Sequence, residues 1–597
     1  MKTTATKHEL STWKFSLDQS GYGLTGGWAA ERYDDSSWTE VNSYTSWETY
    51  EYAMRDYEGK AWFRTKFTPT TVRMVRFILH FEGVGGVAQV YVNGKYAGGT
   101  ENRYLPFELD ITDFVRKQRF TGNLVESTIA VCVNNAFRGK EHLTGGGRIE
   151  WVLYGGLTHR VWIEERPVSN ISHVRVDAAA DGNLKVTATV EGRSSVVPFT
   201  AEVRMEVEGL TSEPVCKPVE CPISTPAGPG VQKVCFELHF DDVKIWSPEE
   251  PNLYTLKLSL HKDDELRSAV EERFGFRTIE TRGTHILLNG KELLIRGANR
   301  YDEYAPYGIC PPVELIREDF RAMKELGINL IRTHYPQDAV HYELADEMGL
   351  MYMIEVPLNW WAPKDTDYLD DHMQLLTEAV DCLDRTFYWH CNHPSWTFWS
   401  VGNECKHNNP VCIQAFHMLA ARMRRLDCRR LITYAAHKPF LNSQEMDFCD
   451  VISMNYYSGI LSENEEQFPE QMVKVLEGKF KEAMRLYPDK PHMMTEFGYV
   501  CVRGVRNSDK EGRYAEDFGG TFLRADCREL LKDPNMRGLV IWCWADYRHR
   551  RGFVPSKGNM GIQATYGPWG LVTMDRKPKQ PLLDAMKEVF DGLTVTE

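Results

Sequence analysis

"VELIREDFRAMKELGINLIRTHY", residues 313–335, decides the fold. Its first part sets Val313, Ile316, Phe320, Met323 and Leu326 on one stripe at helical spacing, the pattern of a helix with a single buried face. "INLIRTHY" (328–335) then reads as a buried strand. Similar apolar strand candidates lie on both sides of this unit. "LLIRGANR" (293–300) precedes it. "LMYMIEV" (350–356), "WTFWSVGNE" (396–404), "LITYAAH" (431–437), "VISMNYY" (451–457), "HMMTEFG" (492–498) and "GLVIWCWAD" (538–546) come after it. Eight buried strands, with room for helices between most of them, predict a (β/α)8 TIM barrel over residues 278–597.

The chain before residue 278 has a different texture. "VRFILHFEGVGGVAQVYVNGKYAGG" (75–99) alternates apolar and polar residues through short strands, and Asn93-Gly94 marks a hairpin turn. Residues 1–165 are expected to form one β-sandwich. "LKVTATVEG", "FTAEVRMEVEG" and "LYTLKLSLHKDDEL" repeat the style, so residues 166–277 are expected to form a second, smaller one. A length of 597 residues fits several domains.

A net charge of −14 argues against a nucleic-acid partner, since there is no basic excess to displace counterions. No stretch of 18 apolar residues predicts a membrane span, and "MKTTATKHELSTWKF" lacks the apolar run of a signal peptide. The 14 cysteines show no CxxC pair or ligand spacing, so reduced thiols in a cytoplasmic protein are expected, with no metal and no cofactor. Cys405 reads as a bystander thiol.

Function concentrates where barrel strands end. The expected ends carry Asn299-Arg300, Arg332-Thr333-His334-Tyr335, Glu355, Asn403-Glu404, Asn455-Tyr456-Tyr457, Glu496, and Trp542 with Asp546. Two carboxylates across one barrel mouth are what glycoside hydrolysis needs: one protonates the leaving oxygen and the other attacks the anomeric carbon.

"NHPSWTFWSVGNE", "MMTEFG", "IRTHYP", "VIWCWAD" and "MDRKPK" resemble glycoside hydrolase family 2, which includes β-galactosidases and β-glucuronidases. "GGWAAERYDDSSWTEV", "GKAWFRTKF" and "YGGLTHRVWI" resemble the family's sugar-binding sandwich. The resemblance implies a jelly-roll-like sandwich, an immunoglobulin-like sandwich and a barrel, with a small-molecule or oligosaccharide glycoside as substrate and a homo-oligomeric assembly. It implies Glu404 as general acid/base and Glu496 as nucleophile. Glu404 must hold a proton, which an apolar surround such as Trp399 favours, while Arg332 keeps Glu496 ionised by charge. Tyr457 matches the tyrosine bonded to the nucleophile, Asn403 the amide that binds the sugar 2-OH, Trp542 the aromatic floor, and His334 a substrate-side histidine. Glu150 falls where β-glucuronidases carry an Asp that reaches the site.

Two departures bear on the sugar. β-Glucuronidases grip the substrate carboxylate with Asn-x-Lys, and here Gly567, Pro568 and Trp569 stand at that place. A buried uronate without a cation pays a desolvation cost, so a neutral hexose, with Trp569 as a stacking wall, is expected. Arg548, Arg550, Arg551 and Lys557 after strand eight offer another clamp, which keeps β-glucuronidase or β-galacturonidase activity as an alternative. In "GANRYDEY", Tyr301-Asp302 replace the usual His-Glu. These altered walls also admit a β-galactofuranosidase. A non-catalytic carbohydrate-binding protein is the alternative of a different class.

Overall fold

The computed structural model describes residues 2–3, 5–70, 75–115, 125–139, 142–143, 149, 151–225, 228–437, 439–457, 478, 481–506, 514–553 and 564–593. By contact they fall into two units: residues 1–136, 154–277 and 388–394, and residues 137–153, 278–387 and 395–597.

The first unit is built mainly of β-strands. A six-stranded and a four-stranded antiparallel sheet form one sandwich. Its strands bury Phe15, Phe63, Phe77, Leu79, Phe81, Val90, Val131 and Ile163 in one core. Asn93 and Gly94 both have positive φ, 51° and 79°, as a two-residue turn of the right twist requires, and they join Val87–Val92 to Lys95–Thr100. A five-stranded and a three-stranded sheet form the second sandwich. In its strand Asn183–Gly192, Leu184, Val186, Ala188 and Val190 all turn inward, the period of two that the sequence displays.

The second unit closes a barrel of eight parallel strands. They are β1 (Ile295–Asn299), β2 (Leu330–Thr333), β3 (Met351–Glu355), β4 (Trp396–Asn403), β5 (Leu431–Ala436), β6 (Ile452–Asn455), β7 (His492–Glu496) and β8 (Met536–Ile541). All eight strands expected from sequence are present. Helix α1 (Val313–Glu325) buries Ile316, Phe320 and Met323, and Leu326 just beyond its end is buried too. Val313, at the exposed start of the stripe, is only half-buried.

Helix α2 (Ala339–Met348) is capped at its start by Asp338, whose carboxylate accepts from the His341 N–H. It ends on Gly349, at φ 69°. The N–H groups of Gly349 and Leu350 both turn back to Ala345 O, which closes the helix and starts β3 two residues later. β3 delivers Glu355 to the barrel mouth. Among the described residues no helix is long and apolar enough to cross a membrane. None of the 14 cysteines is paired in a disulfide.

Gly349→Ala forces a Cβ into the left-handed region at a cost of roughly 1–2 kcal/mol. Calorimetry is expected to show a lower Tm for the barrel transition, with a smaller drop for Gly349→Asn, since asparagine tolerates this conformation.

Candidate active site

The C-terminal rim of the barrel holds one continuous polar network, and Arg332 is its centre. Its side chain is fully buried. One guanidinium nitrogen donates to Asn299 Oδ1 and Glu496 Oε1, each at 2.8 Å. The other donates to Glu355 Oε2 at 2.7 Å and Asn403 Oδ1 at 2.9 Å. Ends of β1, β2, β3, β4 and β7 therefore meet on one cation.

The two amides are fixed in orientation by their partners. Asn455, at the end of β6, accepts from Thr495 Oγ1 at 2.8 Å. Its NH2 then faces Asn403 Oδ1 at 2.8 Å and Glu404 Oε1 at 2.9 Å. Asn403 accepts from both Arg332 and Asn455 through its oxygen, which turns its own NH2 the other way, outward as a donor. Glu404 and Glu496 are thus linked through Asn455, Asn403 and Arg332 in a single site.

β4 reaches this point through an irregularity. Its register against β5 shifts between Ser400 and Asn403. Ser400 still faces the interior, donating to Glu355 at 2.8 Å. The added residue re-aims the side chains beyond it, as bulges do. Glu404 itself has φ 51°. The strand ends on an amide and a carboxylate because the bulge turns both to the mouth.

Glu496 accepts from Tyr457 Oη at 2.7 Å as well as from Arg332. Burial pushes its carboxyl above the ordinary range, the Arg332 charge opposes this, and the like charge of Glu404 adds to the rise. The ion pair with Arg332 expected from the sequence is present at 2.8 Å, although burial and Glu404 outweigh its effect on the carboxyl. Burial also tends to raise Glu355, but Arg332 and His334 more than offset it and hold Glu355 below the usual carboxylate range.

His334 Nδ1 lies 2.7 Å from Glu355 Oε1, and its Nε2 lies 3.7 Å from Glu496 Oε1. Its ring stacks on Trp151, 5.6 Å between centroids, and packs at 5.1 Å against Trp542. Tyr301 meets Trp542 edge-on at 5.5 Å and Tyr547 at 4.6 Å. Trp542, His334, Trp151 and Tyr301 form an aromatic wall. Asp302 pairs with Arg300 at 3.0 Å.

Trp569 packs on Tyr457 at 5.1 Å and so stands one ring behind Glu496. Its backbone is clamped from below. The fully buried Lys579 donates to Asp546 Oδ1 at 2.6 Å, Cys501 O at 2.7 Å and Pro568 O at 3.2 Å. Gly570 N–H donates to the same Asp546 oxygen at 2.8 Å. Burial raises Asp546 to about 6 even with Lys579 beside it. Asp546, read from sequence as part of the rim, is instead committed to this clamp.

One other expectation changes. Trp399 does not surround Glu404: it packs edge-on against Trp396 at 4.3 Å, one residue before inward-facing Ser400 and hence on the opposite face. The aromatic at Glu404 is Trp360, whose indole N–H donates to Oε2 at 2.8 Å. Arg548 sits at the start of a hairpin strand, Tyr547–Phe553, next to Tyr547. Tyr547 packs against Trp542 at 5.9 Å, and the Arg548 backbone N–H donates to Glu303 at 2.7 Å. Arg550 lies over the Phe137 ring at 4.7 Å. Glu150, Lys557 and the Arg551 side chain lie outside the described residues. Cys405 is buried, donates to Leu358 O at 3.3 Å, and burial pushes its thiol up to about 12, which leaves it inert.

Sequence reasoning missed Trp360 and Trp151, and put Asn455 on the rim without giving it a role. Asn455 had a signal, a polar residue ending a buried strand. Trp360 lies past the end of β3 in "PLNWW", where no period applies. Among the described residues no group of three or more His, Cys, Asp or Glu is arranged to hold a metal ion.

Comparison with known proteins assigns the family. The model "Glycosyl hydrolases family 2, TIM barrel domain" matches residues 279–595, "Glycosyl hydrolases family 2" residues 169–277, and "Glycosyl hydrolase 2 galactose-binding domain-like" residues 42–163. A β-glucuronidase of Paenibacillus borealis is 26% identical over 95% of this chain and 94% of its own length. A β-galactosidase of Thermoanaerobacter pseudethanolicus is 29% identical over 83% of this chain. This chain spans only 61% of that protein, and 43% of a putative β-glucuronidase of Formosa agariphila. The fold matches a β-galacturonidase of Eisenbergiella tayi bound to galacturonate, with TM-score 0.81, 22% identity and coverage of 99% and 98% of the two chains. It also matches a β-glucuronidase of Ruminococcus gnavus, with TM-score 0.80, 22% identity and 98% coverage of both. With the barrel model alone matching more than half of its length, and the two sandwich models accounting for most of the remainder, the chain belongs to glycosyl hydrolase family 2.

Proposed function

We propose that this protein is a retaining, exo-acting β-glycosidase that removes a terminal neutral hexose, with a β-galactoside as the favoured substrate. The observation that carries the proposal is the shared network of Glu404 and Glu496. Glu496 attacks the anomeric carbon while Glu404 protonates the leaving oxygen, and water then releases the sugar with Glu404 as base. Asn403 presents its NH2 to the sugar 2-OH, and the Trp542 wall takes the ring face.

The two carboxylates divide their work by environment. A like charge nearby and burial raise Glu496, and the Arg332 charge opposes that rise. Glu496 is the one paired with Arg332 and accepting from Tyr457, contacts that favour its ionised form, so the proton-donating role falls to Glu404. Once Glu404 is neutral, its repulsion of the Glu496 anion disappears and the nucleophile is ready.

The neutral sugar is supported by what lines the wall. Trp569 and Pro568 occupy the turn beside Tyr457, and Arg332 is committed to four acceptors. An acidic sugar is the second reading, supported by the near full-length match to the Paenibacillus β-glucuronidase. A panel of 4-nitrophenyl β-galactoside, β-glucuronide, β-galacturonide and β-galactofuranoside separates them. Turnover of the galactoside is expected, and turnover of only the uronides overturns the neutral-sugar reading. Proton NMR of the first-formed product is expected to show the β-anomer, and Glu496→Gln to abolish turnover, since an amide is no nucleophile.

Tyr457→Phe removes a donor to the ionised form of Glu496 and so raises its pKa. Activity needs Glu496 deprotonated and is lost as pH falls through that value. The acid limb of the kcat/KM profile is therefore expected to move to higher pH, by up to about one unit.

A further inference from the structure

Two bulky residues at the mouth share a backbone conformation that side chains bearing a Cβ avoid. Trp360 has φ 49° and Glu404 has φ 51°. They lie on facing segments joined by their backbones. Trp360 N–H donates to Asn403 O at 3.0 Å, Asn403 N–H to Leu358 O at 2.9 Å, and Lys406 N–H to Trp361 O at 2.8 Å. The two left-handed residues together bring the Trp360 indole N–H to 2.8 Å from Glu404 Oε2. Strain held in place by surrounding structure is a recurrent mark of a functional contact.

The chemistry of that contact is one-sided. An indole N–H donates and never accepts. Oε2 facing it serves only as an acceptor, so the acid form of Glu404 carries its hydrogen on Oε1. Oε1 lies on the Asn455 side, 2.9 Å from an NH2 that a hydroxyl oxygen still accepts through a lone pair. The titratable groups that feel the Glu404 charge are Glu496, Tyr457, Cys405 and Tyr434.

We propose that Trp360 is a positioning residue that assigns the proton of Glu404 to Oε1. This rests on Glu404 being the acid/base. In the first step the Oε1–H bond breaks and the proton goes to the glycosidic oxygen. That oxygen leaves the anomeric carbon with the bonding pair as a Glu496 oxygen bonds to it. In the second step a water oxygen attacks the carbon, its proton passes to Oε1, and the bond to Glu496 breaks. Trp360 holds Oε2 throughout and supports the carboxylate in the interval between the two transfers.

The test uses glycosides of the sugar identified above, graded from dinitrophenyl to methyl leaving groups, on Trp360→Phe, Trp360→His and Glu404→Ala. Trp360→Phe is expected to lose about tenfold or more in kcat/KM on methyl and phenyl glycosides and less than about threefold on the dinitrophenyl glycoside, which needs little protonation. Its basic limb is expected to move to higher pH, because a donor to the anion is gone. Trp360→His, which restores a ring N–H, is expected to regain part of the loss. Active fraction is counted by titration with a 2-deoxy-2-fluoro dinitrophenyl glycoside, so misfolding lowers that count without changing the leaving-group slope. An equal loss on every leaving group, or no loss, overturns the proposal. Glu404→Ala is expected to give the steepest slope, with rescue by azide. A flat slope there overturns the acid/base reading itself. A steep slope there with a flat one for Trp360→Phe overturns only the role of Trp360.

Discussion

The candidate site depends on one buried guanidinium. Arg332 is always charged, and with no water to solvate it the protein must supply acceptors. It supplies Asn299, Glu355, Asn403 and Glu496, from four strands other than its own. A cation at the centre of a barrel mouth forces those strand ends to converge. Charge balance explains the rest of the shell: Glu355 neutralises Arg332 from behind, which leaves Glu496 held but not fully compensated. An uncompensated, partly raised carboxylate beside a second one is a reactive arrangement, whereas a fully neutralised pair would be an inert one.

Much of this was legible in the sequence because barrel architecture converts a linear pattern into a location. Period-two alternation announced the sandwiches, and apolar runs ending in Asn, Arg, Glu or His announced the eight strands and their rim. Glu404, Glu496, Asn403, Arg332, His334 and Trp542 all lie where strand ends place them. What the sequence hid were features with no period. Trp399 and Trp360 look alike in composition, but strand parity turns the first away from Glu404, and a left-handed loop turns the second towards it. Asp546 looked like part of the rim until Lys579, 33 residues later, claimed it.

The aromatic content gains meaning from the same geometry. Trp151, His334, Trp542, Tyr301 and Tyr547 meet at centroid separations of 4.6–6.0 Å in tilted, edge-on and stacked pairs. Such contacts fix ring planes more firmly than aliphatic packing does. The rings are thus ordered by one another.

The Lys579–Asp546 clamp also has a bearing on diversification. It grips only main-chain atoms of the 568–570 turn, never its side chains. Positions 568 and 569 are therefore open to exchange without disturbing the clamp. Gly570 alone is closed to such tinkering, since a Cβ there would lie 2.2 Å from Asp546 N and 2.3 Å from Val572 O.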